Sequence, residues 1–283
     1  MLLRRWTPPG LATSLNWWCL NIALPALVLD VLPRLQLHAN LWLLVAPQWL
    51  LYAVTFAALA LIGRLCGWSR SRIGGLTLVA GLSNTALFGY PALEALRGKE
   101  GLALGAIADQ FGSFIALAVG GALTVAVYAG APARPALIAR RIVLFPPFLA
   151  LLAGLAAGSR GGWTAPVSAV LERIGATLSP LALFAVALRV EARLHAGQIA
   201  ATSVVLVWKL LLMPALALAL CRVAGAGGLI LAVSVLQTAM PPMFTAAIVA
   251  DQHGLDPPLV HAATGLGMLL GLATVIGWNA ALT

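Results

Sequence analysis

Two short stretches set polar side chains beside proline and glycine inside otherwise apolar sequence: Gly81-Leu82-Ser83-Asn84-Thr85-Ala86-Leu87-Phe88-Gly89-Tyr90-Pro91 and Leu236-Gln237-Thr238-Ala239-Met240-Pro241-Pro242. Asn84 and Gln237 each offer an amide N–H₂ and an acceptor oxygen, and Thr85 and Thr238 add hydroxyls. Such a set can hold a carboxylate without a full counter-charge. Where a helix is interrupted, the free N–H groups of the following half-helix carry partial positive charge that suits an anion. The candidate substrate contacts are therefore Asn84, Thr85, Gln237, Thr238 and the backbone beside Pro91 and Pro241. The blander account is that these groups only satisfy the carbonyls that the prolines leave free.

Two ionisable residues lie deep in apolar sequence. Lys209 is far from either end of its stretch, where a lysine costs about 3 kcal/mol even on the gentler insertion scales, so it is a functional candidate by default. Asp109 is near enough to mid-depth to carry a proton if burial raises its pKa. Lys209 could pair with a substrate carboxylate or with Asp109; a fixed ion pair between the two is the structural alternative. Asp30 and Arg34 sit at a stretch end, where snorkelling explains them. Glu172 and Arg173 suit interfacial or structural roles, and His261 has no second ligand at metal spacing. Cys19, Cys66 and Cys221 show neither a metal pattern nor a disulfide framework. No metal and no cofactor is expected.

The elements that position these residues follow from composition. Of 283 residues, 61% are hydrophobic and 9% charged, against roughly 25% charged in ordinary soluble domains. Mean hydropathy is +0.99. The fold class is an all-α membrane protein embedded in a lipid bilayer. About 20 apolar residues cross the hydrocarbon, and that ruler gives nine transmembrane helices, near 14-33, 41-63, 73-96, 102-128, 142-158, 164-188, 198-221, 227-250 and 258-280. The run after Arg4 and Arg5 reads as a retained helix, not a cleaved signal. A formal charge of +9 would suggest nucleic acid in a soluble protein; here the basic residues are spread through short loops, and no nucleic-acid partner is expected.

Those basic residues alternate unevenly between faces. Arg4, Arg5, Arg64, Arg70, Arg72, Arg134, Arg140, Arg141, Arg189 and Arg193 fall on one side, against Arg34, Arg97, Lys99, Arg160 and Arg222 on the other. The excess places the N-terminus in the cytoplasm and the C-terminus outside the cell (inner) membrane. Trp42, Trp68, Trp163 and Trp278 near span ends suit an interfacial belt. Asn84 and Thr238 each lie eleven residues into their spans, from opposite faces, so both breaks reach ~16 Å depth at 1.5 Å per residue. Paired interruptions in two halves of a chain point to a transporter's midplane site.

At these residues the chain resembles the auxin efflux carrier family, permeases of organic acids within the bile acid/arsenite/auxin-type transporter superfamily. Ser83-Asn84-Thr85 with Gly89-Tyr90-Pro91 is similar to the family's fourth helix, and Thr238-Ala239-Met240-Pro241-Pro242 with Thr245-Ala246-Ala247 to its ninth. Ala23-Leu24-Pro25-Ala26-Leu27, Asp109-Gln110, Phe145-Pro146-Pro147, Ser179-Pro180-Leu181-Ala182-Leu183 and Lys209-Leu210-Leu211-Leu212-Met213-Pro214 resemble its second, fifth, sixth, seventh and eighth helices. Ser83 replaces a usual Gly, Phe145 stands where Asn is common and Ala187 where Gly is common. The family's first helix has no counterpart.

The resemblance implies an inverted-repeat transporter of one domain over 1-283, with half-repeats 14-128 and 142-280 and crossing helices 73-96 and 227-250. It implies a scaffold, a moving transport part and a homodimer through the scaffold. The expected activity is alternating-access transport of a small organic anion. Because acidic residues at depth are scarce, proton coupling or potential-driven efflux is preferred to a sodium-coupled bile-acid-type symport. A channel and a non-transporting remnant remain as rivals. An enzyme is not expected, since the chain has no Gly-x-Ser-x-Gly elbow and no His-Glu-x-x-His pair.

Overall fold

A computed structural model describes residues 8, 10–35, 39–189 and 196–283. The basic residues Arg4, Arg5 and Arg193, and the side chain of Arg189, lie outside them. In chain order the helices are α1 (Leu11–Arg34), α2 (Trp42–Leu65), α3 (Arg70–Gly81), α4 (Gly89–Ala129), α5 (Pro135–Val143), α6 (Pro146–Gly158), α7 (Ala165–Leu188), α8 (Ile199–Val223), α9 (Gly228–Ala239), α10 (Phe244–Gln252) and α11 (Pro257–Ala281). Six of these (α1, α2, α4, α7, α8 and α11) are long and apolar enough to cross a membrane, and α5 with α6, bent by 55°, makes a seventh. The remaining two of the nine stretches, 73-96 and 227-250, are the interrupted ones. The first is α3 plus the start of α4, and the second is α9 plus α10.

Two boundaries differ from the sequence reading. No loop separates 73-96 from 102-128: helix runs on either side of Gly98, which alone turns the chain with φ 67°, a left-handed conformation that glycine adopts without a Cβ clash. The stretch 142-158 begins instead at Pro146. Proline is pre-set for the first turn and pushes the residue before it out of the helical region, so Phe145 is extended (φ −72°, ψ 120°) and the amphipathic α5 is set off as a separate helix.

Contacts between span ends sort into two faces. On one, Arg70 Nη2 donates to Val127 O at 2.5 Å and Arg72 pairs with Asp256 at 3.0 Å. On the other, Lys99 pairs with Glu172 at 2.5 Å, Arg97 Nη2 donates to Asn279 O at 3.4 Å, and Arg34 bonds both Asp30 and Ser168 Oγ at 2.9 Å. This is the partition that alternating spans require.

The helices pack as two sets. α1 lies against α6 and α7, and α2 to α4 lie with α8 to α11. Leu24, Val28, Leu32 and Leu151 of the first set share one core with Leu93, Leu104, Leu236 and Met240 of the second, and Leu76, Val79, Ala246, Leu259 and Val260 form a further core within the second. Because lipid is as apolar as a leucine side chain, close approach through small residues drives much of this packing. A Cβ on Gly175 of α7 would stand 2.9 Å from Leu27 Cα of α1. On α11, Cβ atoms at Gly267 and Gly271 would meet Pro242 Cδ at 2.6 Å and Pro241 Cβ at 2.8 Å, so these two glycines seat the second break.

Gly267→Leu is therefore expected to cost about 1–3 kcal/mol through overpacking, read as a lower thermal transition in nanodiscs. Gly277→Ala, on the same helix with open space around its Cβ, should leave that transition unchanged or raise it.

Candidate functional site

The two breaks meet each other. Ser83 and Pro242 form an antiparallel β-contact, flanked by Asn84 N–H to Pro241 O at 2.8 Å and Met243 N–H to Leu82 O at 3.0 Å. Proline supplies a carbonyl but no N–H, and the register sets its missing donor against Ser83, where none is used. Backbone groups that the interruptions free from helical bonding are thus paired inside the membrane, as they must be.

Around this bridge the side chains divide by role. Asn84 is buried; its backbone also accepts from Gly89 N–H at 3.0 Å, closing the turn into α4, while its side-chain Nδ2 has no partner among the described residues. Gln237 is fully buried and donates from Nε2 to Gly105 O at 2.9 Å, which leaves Oε1 without a partner among the described residues. Gly89 and Gly105 make room for it: a Cβ at Gly89 would lie 2.8 Å from Gln237 Oε1, and one at Gly105 3.1 Å from its Nε2.

Thr238 acts through its main chain. Its hydroxyl is turned back onto Val235 O at 2.8 Å, whereas its carbonyl accepts from Lys209 Nζ at 3.1 Å and from Ser83 Oγ at 3.4 Å. Pro91 is buried in the first turn of α4 and helps start that half-helix; Pro241 presents the carbonyl of the bridge.

Asp109 and Lys209 do not pair with each other. Asp109 Oδ1 accepts from Thr85 Oγ1, and Oδ2 accepts from Tyr90 Oη at 2.9 Å and Gln110 Nε2 at 2.7 Å. Lys209 Nζ donates to Ser83 Oγ and to Thr238 O. The two charges therefore hold neighbouring residues of one unwound segment, Lys209 through Ser83 and Asp109 through Thr85. Each sits in a π-helical turn, Ala108–Ser113 and Trp208–Leu212, and such turns concentrate at functional sites.

Ser83, Tyr90 and Gln110 join the site although sequence reasoning had not placed them in it. Their signal was adjacency to Asn84, Pro91 and Asp109; the missing knowledge was which face of each helix turns inward. Gln110 Oε1 is a further buried oxygen without a partner among the described residues. The arrangement offers one amide donor and two amide oxygens beside an interrupted helix, enough to bind a small polar group.

Tyr90→Phe removes one donor to a fully buried carboxylate and should cost about 1.5–3 kcal/mol of stability. Phe88→Tyr, which adds a hydroxyl at the cap before α4 and not at position 90, is not expected to compensate. Thermal unfolding of the purified variants in nanodiscs measures both.

The profile of a family described as membrane transport protein matches residues 135–279. A protein called "Uncharacterized transporter" from Methanothermobacter thermautotrophicus (strain ATCC 29096 / DSM 1053 / JCM 10044 / NBRC 100330 / Delta H) is 28% identical over 273 residues, covering 96% of this chain and 89% of its own length. The profile takes in α5 through α11 with the second break, and the archaeal relative extends the likeness over nearly the whole chain; this multi-pass membrane protein belongs to the membrane transport protein family, that of the auxin efflux carriers.

Proposed function

We propose that the protein is a secondary carrier that moves a small organic anion, a carboxylate, across the cytoplasmic membrane by alternating access. The observation that carries this reading is the buried Asn84 Nδ2: a donor without a partner among the described residues, placed in a broken helix at mid-depth. Leaving such a group unpaired costs about 1–3 kcal/mol, which an acceptor oxygen of a bound substrate would recover. The N-terminal end of the half-helix from Gly89 adds partial positive charge.

The two packed sets supply the moving parts in this reading. α1, α6 and α7 form the scaffold, and the set with both breaks travels against it. Half-repeats 14-128 and 142-280 have opposite topology, the N-terminus is cytoplasmic and the C-terminus outside, and a homodimer forms through the scaffold. Asp109 is the coupling candidate. It is held by hydroxyl and amide donors instead of a fixed cation, so a proton can be taken up there without breaking an ion pair. For a monoanion the membrane potential adds about 2.3 kcal/mol per 100 mV toward export.

Flux of radiolabelled monocarboxylates and dicarboxylates into proteoliposomes tests this under imposed proton, sodium and voltage gradients. Saturable flux is expected for at least one acid. A hydrogen bond to a charged group is worth about 1.5–3 kcal/mol, so Asn84→Ala should lower saturable flux roughly 10- to 100-fold. Asp109→Asn should abolish stimulation by a proton gradient while sparing counterflow. Undiminished flux in Asn84→Ala would move the site elsewhere, and single-channel currents would replace the carrier by a channel. Absence of flux for every acid with folded protein would overturn the carboxylate assignment.

A further inference from the structure

Lys209 is fully buried, and its partners are oxygens, not acids. Its ammonium donates to Ser83 Oγ in the first break and to Thr238 O, 3.1 Å away in the last turn of α9 before the second break, with Met213 Sδ at 3.9 Å. Among the described residues it takes part in no ion pair, and Asp109 is committed to Thr85, Tyr90 and Gln110. What balances the charge is the C-terminal end of α9, where unsatisfied carbonyls carry partial negative charge that favours a cation.

A hydroxyl and a backbone carbonyl at the end of a half-helix are also the ligands that broken helices offer to a coupling cation. The position is filled here from within the chain. Because Ser83 and Thr238 belong to different breaks and Lys209 to α8, the one ammonium ties three elements together beside the main-chain bridge.

We propose that Lys209 is a resident cation: its ammonium occupies the place of an alkali metal ion between the two breaks, fastening both to α8 so that the crossover moves as one body and needs no sodium. The last part rests on the carrier reading; the occupancy itself does not. Lys209 is a positioning residue in this account, since it grips the segments that present Asn84 and Thr85 and not the substrate.

Thermal unfolding in nanodiscs tests the occupancy without any transport measurement. The wild type should unfold at the same temperature in sodium, potassium and choline chloride. Lys209→Ala empties the position, so its transition should fall, then rise with concentration on adding methylammonium or sodium but not choline, as a ligand that binds only the folded state requires. Lys209→Arg, which keeps the charge, should stay close to the wild type. A Lys209→Ala transition equal to the wild type's, or lowered but indifferent to both cations, overturns the proposal. If that variant is lost on extraction, Lys209→Met, of similar length without charge, carries the test. It should unfold below Lys209→Arg, and equal transitions for the two refute the resident cation. Failure of the carboxylate flux assay would leave all these outcomes unchanged, so the two readings fail separately.

Discussion

In hydrocarbon a polypeptide cannot leave its N–H and C=O groups to water, and the architecture follows from how that requirement is met where two helices stop midway. Each interruption alone would expose several unpaired groups at a cost of several kcal/mol apiece. Brought together, Leu82–Asn84 and Pro241–Met243 bond through two main-chain hydrogen bonds in antiparallel register. Each break satisfies the other, so α3 with α4 and α9 with α10 are held together where both are interrupted. Gly267 and Gly271 of α11 pack against Pro242 and Pro241 at that meeting point.

The same constraint explains the distribution of charge. The interior of a membrane-spanning bundle is an expensive place for an ion, yet Lys209 and Asp109 are both buried in it. They are kept apart and each is solvated by the break instead of by the other, Lys209 through Ser83 Oγ and Thr238 O, Asp109 through Thr85, Tyr90 and Gln110. A direct pair would neutralise both and leave Ser83 and Thr85 with no reason to be polar. Separated, the charges hold one short segment from its two sides and leave Asn84, between them, with a donor unpaired among the described residues.

Much of this was legible in the sequence because proline, glycine and polar residues are costly inside a long apolar run unless the helix breaks there. The two breaks and the helical class come from that contrast. Local pattern could not supply the partner of each break: the pairing of Ser83 with Pro242 joins positions far apart in the chain, and nothing in either motif names the other. Sequence left open whether Asp109 and Lys209 pair with each other; the side chains instead reach separate partners, each from a π-helical turn. Thr238 was expected to work through its hydroxyl and works through its carbonyl, a choice that χ1 makes and sequence does not encode. The loop expected after residue 96 shrank to Gly98 because a single left-handed glycine redirects a helix as well as several polar residues do.

The bridge between the breaks is made of main-chain atoms, and main-chain atoms are the same whatever side chain they carry. The bridge can therefore persist while residues 83 to 85 and 237 to 238 change, provided that proline is kept opposite position 83. The bridge and the side-chain surface beside it are then written in different atoms of the same few residues. A lineage could exchange an amide or a hydroxyl there with the two breaks still joined where they are joined now.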